Sequence, residues 1–166
     1  IAHTDDAILV HYKVKEASVR AVAAGDNGAV WEDACVEFFS IPAGDGIYYN
    51  VECNCAGILL IGAGAGRENR EHAPQEVMDK VQRWSSLGRQ SFEERVGECN
   101  WELALVIPYS AFFKHQITSL DGKTVRANFY KCGDKLQTPH FLSWNPIALE
   151  KPNFHCPEFF GTLNFE

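Results

Sequence analysis

The hydrophobic and polar positions of this chain alternate with a period of two far more often than with a helical period. The clearest case runs from Trp31 to Cys55, WEDACVEFFSIPAGDGIYYNVECNC. Two arms rich in aromatic and β-branched residues flank Pro42, Gly44, Asp45 and Gly46, the pattern of an antiparallel hairpin. In the first arm Ala34, Val36 and Phe38 alternate with Cys35, Glu37 and Phe39. In the second, Ile47, Tyr49, Val51 and Cys53 alternate with Tyr48, Asn50, Glu52 and Asn54. Neither face is plainly polar, so both arms are expected at the centre of a sheet, covered on each side. That makes Glu37 conspicuous as a carboxylate in a covered strand. As a structural residue it needs only a partner.

Other segments add strands. Ile8–Val14 alternates cleanly, and a second short run covers Ser18–Ala23. Gly25-Asp26-Asn27-Gly28 is a turn that delivers the chain to Trp31. Gln90–Val96 and Trp101–Ile107 read as a strand pair, with Trp101, Leu103, Leu105 and Ile107 on one core face. Pro108 opens a helical turn. Thr124–Lys131 sets Val125, Ala127 and Phe129 opposite Arg126, Asn128 and Tyr130. The Pro-rich, aromatic tail reads as a long ordered loop closed by a strand over Gly161–Phe165. Between these lies ILLIGAGAGRENREHAPQEVMDKVQRW, which imitates the opening of a dinucleotide-binding unit. Its glycines fall at 62, 64 and 66, leaving Arg67 where the fingerprint requires glycine, and a polar stretch separates them from helical periodicity. A flexible glycine loop and a short surface helix over Pro74–Trp84, striped by Val77, Val81 and Trp84, are expected instead. Seven or more short strands with one minor helix predict a single all-β domain over residues 1–166, an antiparallel β-sandwich.

Composition narrows the function. The chain has 166 residues, enough for one core without staples. Its 15 basic and 22 acidic residues give a net charge of −7 with no basic run, which disfavours nucleic acid as a partner. No apolar stretch of about 18 residues is present to span a membrane. The chain opens at Ile1 rather than Met and is read as a processed or truncated product. Six cysteines occupy positions 35, 53, 55, 99, 132 and 156. Most sit in strand-like apolar runs and are expected as reduced core thiols, which suit a cytoplasmic or anaerobic setting. Cys53-x-Cys55 is a weak metal signal without a second pair. Asp5-Asp6 and Asp26-Asn27 offer oxygens for a structural calcium, but solvated turns explain them better, so no cofactor is assigned. No Gly-x-Ser-x-Gly, His-Glu-x-x-His or Cys/His nucleophile pattern occurs. Glu37 and Glu52 could approach across the hairpin, which keeps an acid–base pair for a glycan-cleaving enzyme as an alternative, beside a purely structural or protein-interaction sandwich.

Three stretches carry a resemblance: W-E-D-A-C-V-E-F-F in the first arm, N-F-Y in the Arg126 strand, and S-W-N-P followed by F-H-C-P-E-F-F-G-T-L-N-F-E at the end. Together they resemble the family 9 carbohydrate-binding modules and their Bacteroides-type relatives, over nearly the whole chain. The resemblance implies a DOMON-like β-sandwich of the immunoglobulin or jelly-roll kind, with the family's first strand missing or shortened before Ile1. It implies no catalysis, a mono- or oligosaccharide held at a glycan end, a reducing end in particular, and an accessory role in polysaccharide breakdown. Sugar binding of that kind suggests an extracytoplasmic protein. Trp31 and Trp144 match the family's two aromatic platforms, and Glu37 matches a carboxylate that fixes sugar hydroxyls. The even spacing of Trp31 and Glu37 would put both on one strand face. Asn50 and Glu52, and Arg126, Asn128 and Tyr130, are further candidates for ligand contact. The family's arginine has no assigned position.

Overall fold

The computed structural model describes residues 1–166. Its strands are β1 (Ala2–His3), β2 (Ala7–Ala21), β3 (Cys35–Ile41), β4 (Tyr48–Asn54), β5 (Leu59–Gly64), β6 (Glu71–His72), β7 (Gln82–Ser85), β8 (Phe92–Pro108), β9 (Thr124–Cys132), β10 (Phe141–Ser143) and β11 (Gly161–Asn164). One α-helical turn, α1 (Gln75–Met78), and three short 3-10 turns, Val30–Glu32, Tyr109–Ala111 and Pro157–Phe159, interrupt them. The hairpin forms as its alternation requires: β3 and β4 pair antiparallel with Glu37 opposite Glu52 and Phe39 opposite Asn50. On its other edge β3 pairs with β9, and β4 pairs with β5, so the hairpin is the middle of a sheet ordered β10-β9-β3-β4-β5-β6, with β11 beside β9. The second sheet, ordered β1-β2-β8-β7, lies across it.

The core between the sheets is built from one parity of each strand. Val36 and Phe38 of β3, Val51 and Cys53 of β4, and Ala127 of β9 meet Ile8 and Val10 of β2 and Trp101, Leu103, Leu105 and Ile107 of β8. Burying side chains of this size contributes about 1.5–3 kcal/mol each. Trp101 is a core residue, as its alternation predicts, and its indole N–H donates to Glu16 Oε1. All six cysteines are free, and all but Cys99 are buried.

Tertiary pairing overrides several local expectations. Ile8–Val14 and Ser18–Ala23 form the single strand β2. Gln90–Val96 and Trp101–Ile107 do not pair with each other but are consecutive parts of β8, both bonded to β2. Gly97, at φ +131°, lets β8 continue past a register shift between Glu16 and Ser18, so what reads as a turn is a bulge. The helix expected over Pro74–Trp84 is one turn long. Beyond it Gln82–Ser85 joins β8 as edge strand β7, leaving Trp84 exposed, and Arg83 makes a bidentate pair with Asp26 at 2.6 and 2.8 Å. Asp26 is therefore an anchor rather than a solvated turn residue. Its Oδ1 also accepts the Leu59 amide, while Asn27 bonds the Ile61 amide and the Ala73 carbonyl. Gly62 and Gly64 lie within β5 instead of a flexible loop.

A buried carboxylate holds the turn that carries Trp31. Asp33 is fully buried, and its Oδ2 accepts the amides of Val22 and Ala23 and the Asn54 side chain at 2.9–3.0 Å; Arg20 Nε lies 3.4 Å from Oδ1. Removing it strands those donors in the interior. Asp33→Ala is expected to lower stability by about 3 kcal/mol in urea unfolding; a loss below about 1 kcal/mol would show that this anchor is dispensable.

Candidate functional site

The second face of the hairpin is polar yet covered. Glu37, Asn50, Glu52, Asn54 and Asn128 are all at most 4% exposed. The tail after β10 supplies part of the cover. Phe39, Tyr48, Tyr130 and Phe160 form a second apolar cluster, and Phe154 stacks on Tyr130 with ring centroids 4.1 Å apart and planes 5° apart. Arg126 and Asn128 fasten this tail: Arg126 donates to the Phe160 carbonyl, and Asn128 bonds the Asn145 carbonyl and amide. Between the tail, the Trp31 turn and the segment Arg67–His72 a cavity of about 290 Å³ stays open. Trp31, Phe141, Phe154 and His155 line it, with Glu37, Asn50, Glu52, Arg67, Arg70 and Asp134 supplying polar groups.

These polar groups form a chain. Arg70 donates from Nε and Nη2 to Asn50 Oδ1 at 2.9 and 2.6 Å, and Asn50 Nδ2 donates to Glu52 Oε1 at 2.8 Å. The guanidinium also bonds the carbonyls of Tyr48 and Gly66 and lies 4.0 Å above the Tyr48 ring. Opposite Glu52, Glu37 accepts the Cys132 thiol at 3.0 Å. Asn50 fits only because residue 62 is glycine: a Cβ there would lie 2.5 Å from Asn50 Oδ1. Burial pushes the Glu52 carboxyl up to about 7, against the lowering pull of Asn50 and Arg70. Glu37 rises well above the usual carboxylate range through burial, with the nearby Cys132 and Glu52 adding to it. His155 is driven down to about 4, chiefly by burial and then by Arg70 and Arg67, and its Nδ1 is hydrogen-bonded to the Tyr48 hydroxyl. Burial thus favours the neutral forms of these carboxyls and of the imidazole, and neutral groups of this kind can donate to or accept from hydroxyls.

Of the residues singled out in the sequence, Trp31, Glu37, Asn50 and Glu52 line this cavity. Trp31 does so from the helical turn Val30–Glu32 and not from the strand, so its parity with Glu37 is incidental. Tyr130 lies beneath Phe154, and Arg126 and Asn128 are tail anchors. Trp144 lies elsewhere. Strand β10 sets Phe141 opposite Cys132 and Leu142 opposite Lys131, so alternation sends Phe141 toward the cavity and Trp144 to the opposite face, edge-on to Phe129 at 5.8 Å. The aromatic residues beside Trp31 are therefore Phe141 and Phe154. Sequence reasoning missed both, together with Arg70. Reading 141–144 as a strand would have given the parity, whereas Arg70 closes a Gly62–Arg70 stretch that carries no motif of its own.

Trp144 borders a larger cavity of about 670 Å³ between the sheets, lined by Tyr12, Val14, Val36, Phe129, Lys131 and His140 among others. Its buried charged groups pair with one another: Lys131 Nζ lies 2.9 Å from Glu16 Oε2 and 2.9 Å from His140 Nε2. The smaller cavity is the better candidate for a polar ligand, because its polar groups converge beside flat rings. Calcium has little to gain at Asp26-Asn27, whose oxygens are spent on Arg83 and backbone amides. The residues with metal-ligand chemistry that do converge are Cys35, Glu37 and Cys132.

The raised Glu52 value makes stability pH-dependent. The folded state holds this proton more tightly than the unfolded chain, whose carboxyl titrates near 4.5, so the contribution is complete below 4.5 and is lost as pH rises toward about 7. Urea unfolding of the native protein is expected to show stability falling across this window, and Glu52→Gln to remove up to about 1.4 kcal/mol per pH unit of that slope. An unchanged slope in the variant would contradict the assignment.

A family model described as carbohydrate-binding family 9 matches residues 1–165. A search of curated proteins finds no match. Among solved structures, the chain is 72% identical to a candidate carbohydrate-binding protein from Bacteroides uniformis ATCC 8492, with a TM-score of 0.97, covering 99% of this chain and 76% of that one. A family 9 carbohydrate-binding module from Caldicellulosiruptor kristjanssonii, solved in complex with glucose, shares the fold at 10% identity and a TM-score of 0.57, covering 98% of this chain and 72% of that one. With the match running over nearly its full length, the chain belongs to carbohydrate-binding family 9, a family of non-catalytic sugar-binding modules.

Proposed function

We propose that the 290 Å³ cavity receives the terminal pyranose of a mono- or oligosaccharide. The observation that carries this reading is the convergence of flat aromatic surface from Trp31, Phe141 and Phe154 with the buried polar chain Arg70–Asn50–Glu52 and Glu37. Pyranose rings offer C–H faces to aromatic rings and hydroxyls at their edge, and each hydroxyl both donates and accepts. Glu37 and Glu52 accept from hydroxyls when ionised and donate when protonated, while Arg70 and Arg67 donate. A cavity near the small end of ligand-site sizes, roughly 300 Å³, suits one ring rather than a groove-bound polymer. The ligand is thus a chain end, the reducing end in particular. Recognition of chain ends would serve a system that depolymerises polysaccharides, since each cleavage creates one.

The test is calorimetric titration with glucose, other monosaccharides, cello- and xylo-oligosaccharides, and the matching alditols. Saturable one-to-one binding is expected with at least one sugar and lost with its alditol. Trp31→Ala, a change at a residue 39% exposed, is expected to weaken binding at least tenfold, about 1.4 kcal/mol, while leaving the melting temperature nearly unchanged. Trp144→Ala is expected to leave affinity within about twofold. No binding by the folded protein across the panel would overturn the proposal, as would loss of binding in Trp144→Ala with none in Trp31→Ala.

A further inference from the structure

Two thiols and a carboxylate meet at the base of the cavity. Cys35 and Glu37 are two apart on β3, so their side chains share a face, and Cys132 stands opposite Cys35 on β9. Cys132 Sγ is 3.0 Å from Glu37 Oε1, and the ligand atoms of all three residues lie within 4.8 Å of one another. All three are at most 3% exposed, yet Glu37 and Cys132 line the cavity, which connects the cluster to solvent.

The chemistry of this group is incomplete as it stands. Three acids crowded in a buried setting cannot ionise together without a counter-charge in direct contact. Burial pushes the Cys35 thiol up to about 12, and Cys132 is raised as well, by its hydrogen bond with Cys35 and by burial. A divalent cation would supply the charge and release the thiol protons. Thiolate ligands select zinc-class ions over calcium or magnesium. Zinc bonds of about 2.3 Å to sulfur and about 2.1 Å to oxygen place tetrahedral ligand atoms about 3.6–3.8 Å apart, a spacing that small side-chain rotations reach here. The ligands stand on the paired central strands β3 and β9, the rigid part of the fold, which favours a defined geometry.

We infer that Cys35, Glu37 and Cys132 form a three-ligand site for a zinc-class divalent cation, with the fourth coordination position open to the cavity. This site shares Glu37 and the cavity with the sugar proposal, but it does not rest on that reading and is tested without sugar. The reduced protein is titrated with Cd²⁺, whose thiolate bonds give an ultraviolet charge-transfer band. One equivalent is expected to saturate the band with release of protons, and X-ray absorption of the Zn²⁺-loaded protein is expected to show two sulfur ligands with oxygen completing the shell. Cys132→Ala is expected to weaken Cd²⁺ binding about a hundredfold, whereas Cys53→Ala, at a core thiol outside the cluster, is expected to retain it. The absorption measurement on the unmodified protein decides the matter even where a variant fails to fold. No charge-transfer band at one equivalent of Cd²⁺, a zinc shell without sulfur, or unchanged affinity in a folded Cys132→Ala protein would overturn the inference.

Discussion

The cross-strand pair Glu37 and Glu52 imposes the constraint on which the rest of this structure depends. Two carboxylates directly opposite each other in the middle of a sheet repel when ionised and lose hydration when covered. The fold answers both costs locally. Glu52 takes a hydrogen bond from Asn50, which Arg70 in turn holds, and Glu37 takes one from Cys132. Burial also raises both carboxyls above the usual carboxylate range, which favours their neutral forms. Gly62 belongs to the same arrangement, because any side chain there would displace Asn50.

Covering this polar face also accounts for the least regular part of the chain. The tail from Trp144 to Phe160 has little secondary structure, but Arg126 and Asn128 tie its backbone to β9, and Tyr130 and Phe39 give its aromatic residues a surface to pack on. On the other side, Asp33 fixes the turn that presents Trp31, whose carbonyl accepts the Asp134 amide. Sheet, tail and turn thus leave a small cavity whose walls are loops and whose floor is rigid strand. Preorganisation of that kind lowers the entropy cost of binding a weakly hydrophobic ligand such as a sugar.

Much of this was legible in the sequence, and the omissions have physical causes. Alternation in both arms announced a hairpin covered on two sides, and that alone made Glu37 and Glu52 notable. The resemblance of the Trp31–Glu37 segment pointed to the same cavity wall, though a helical turn and not strand parity brings Trp31 there. Local pattern could not show that β2 and β8 run through their breaks, because a bulge and Gly97 at positive φ look like turns until a partner strand is known. Nor could it show that β7 would leave a helical pattern to pair with β8, where the Arg83–Asp26 contact is made. The direction of Trp144 was hidden for the same reason: it depends on β10, a three-residue strand visible only through its pairing with β9. Arg70 reaches Asn50 across a separation of 20 residues, a contact that no short motif encodes.

The four tryptophans report directly on which cavity takes the sugar. Each indole N–H gives its own resonance in a nitrogen-15 correlation spectrum, and assignment by single substitution is direct. On titration with the sugar that binds, the Trp31 indole is expected to shift saturably while those of Trp84, Trp101 and Trp144 stay in place. A saturable shift of Trp144 with Trp31 unmoved would contradict the account and transfer the site to the cavity between the sheets.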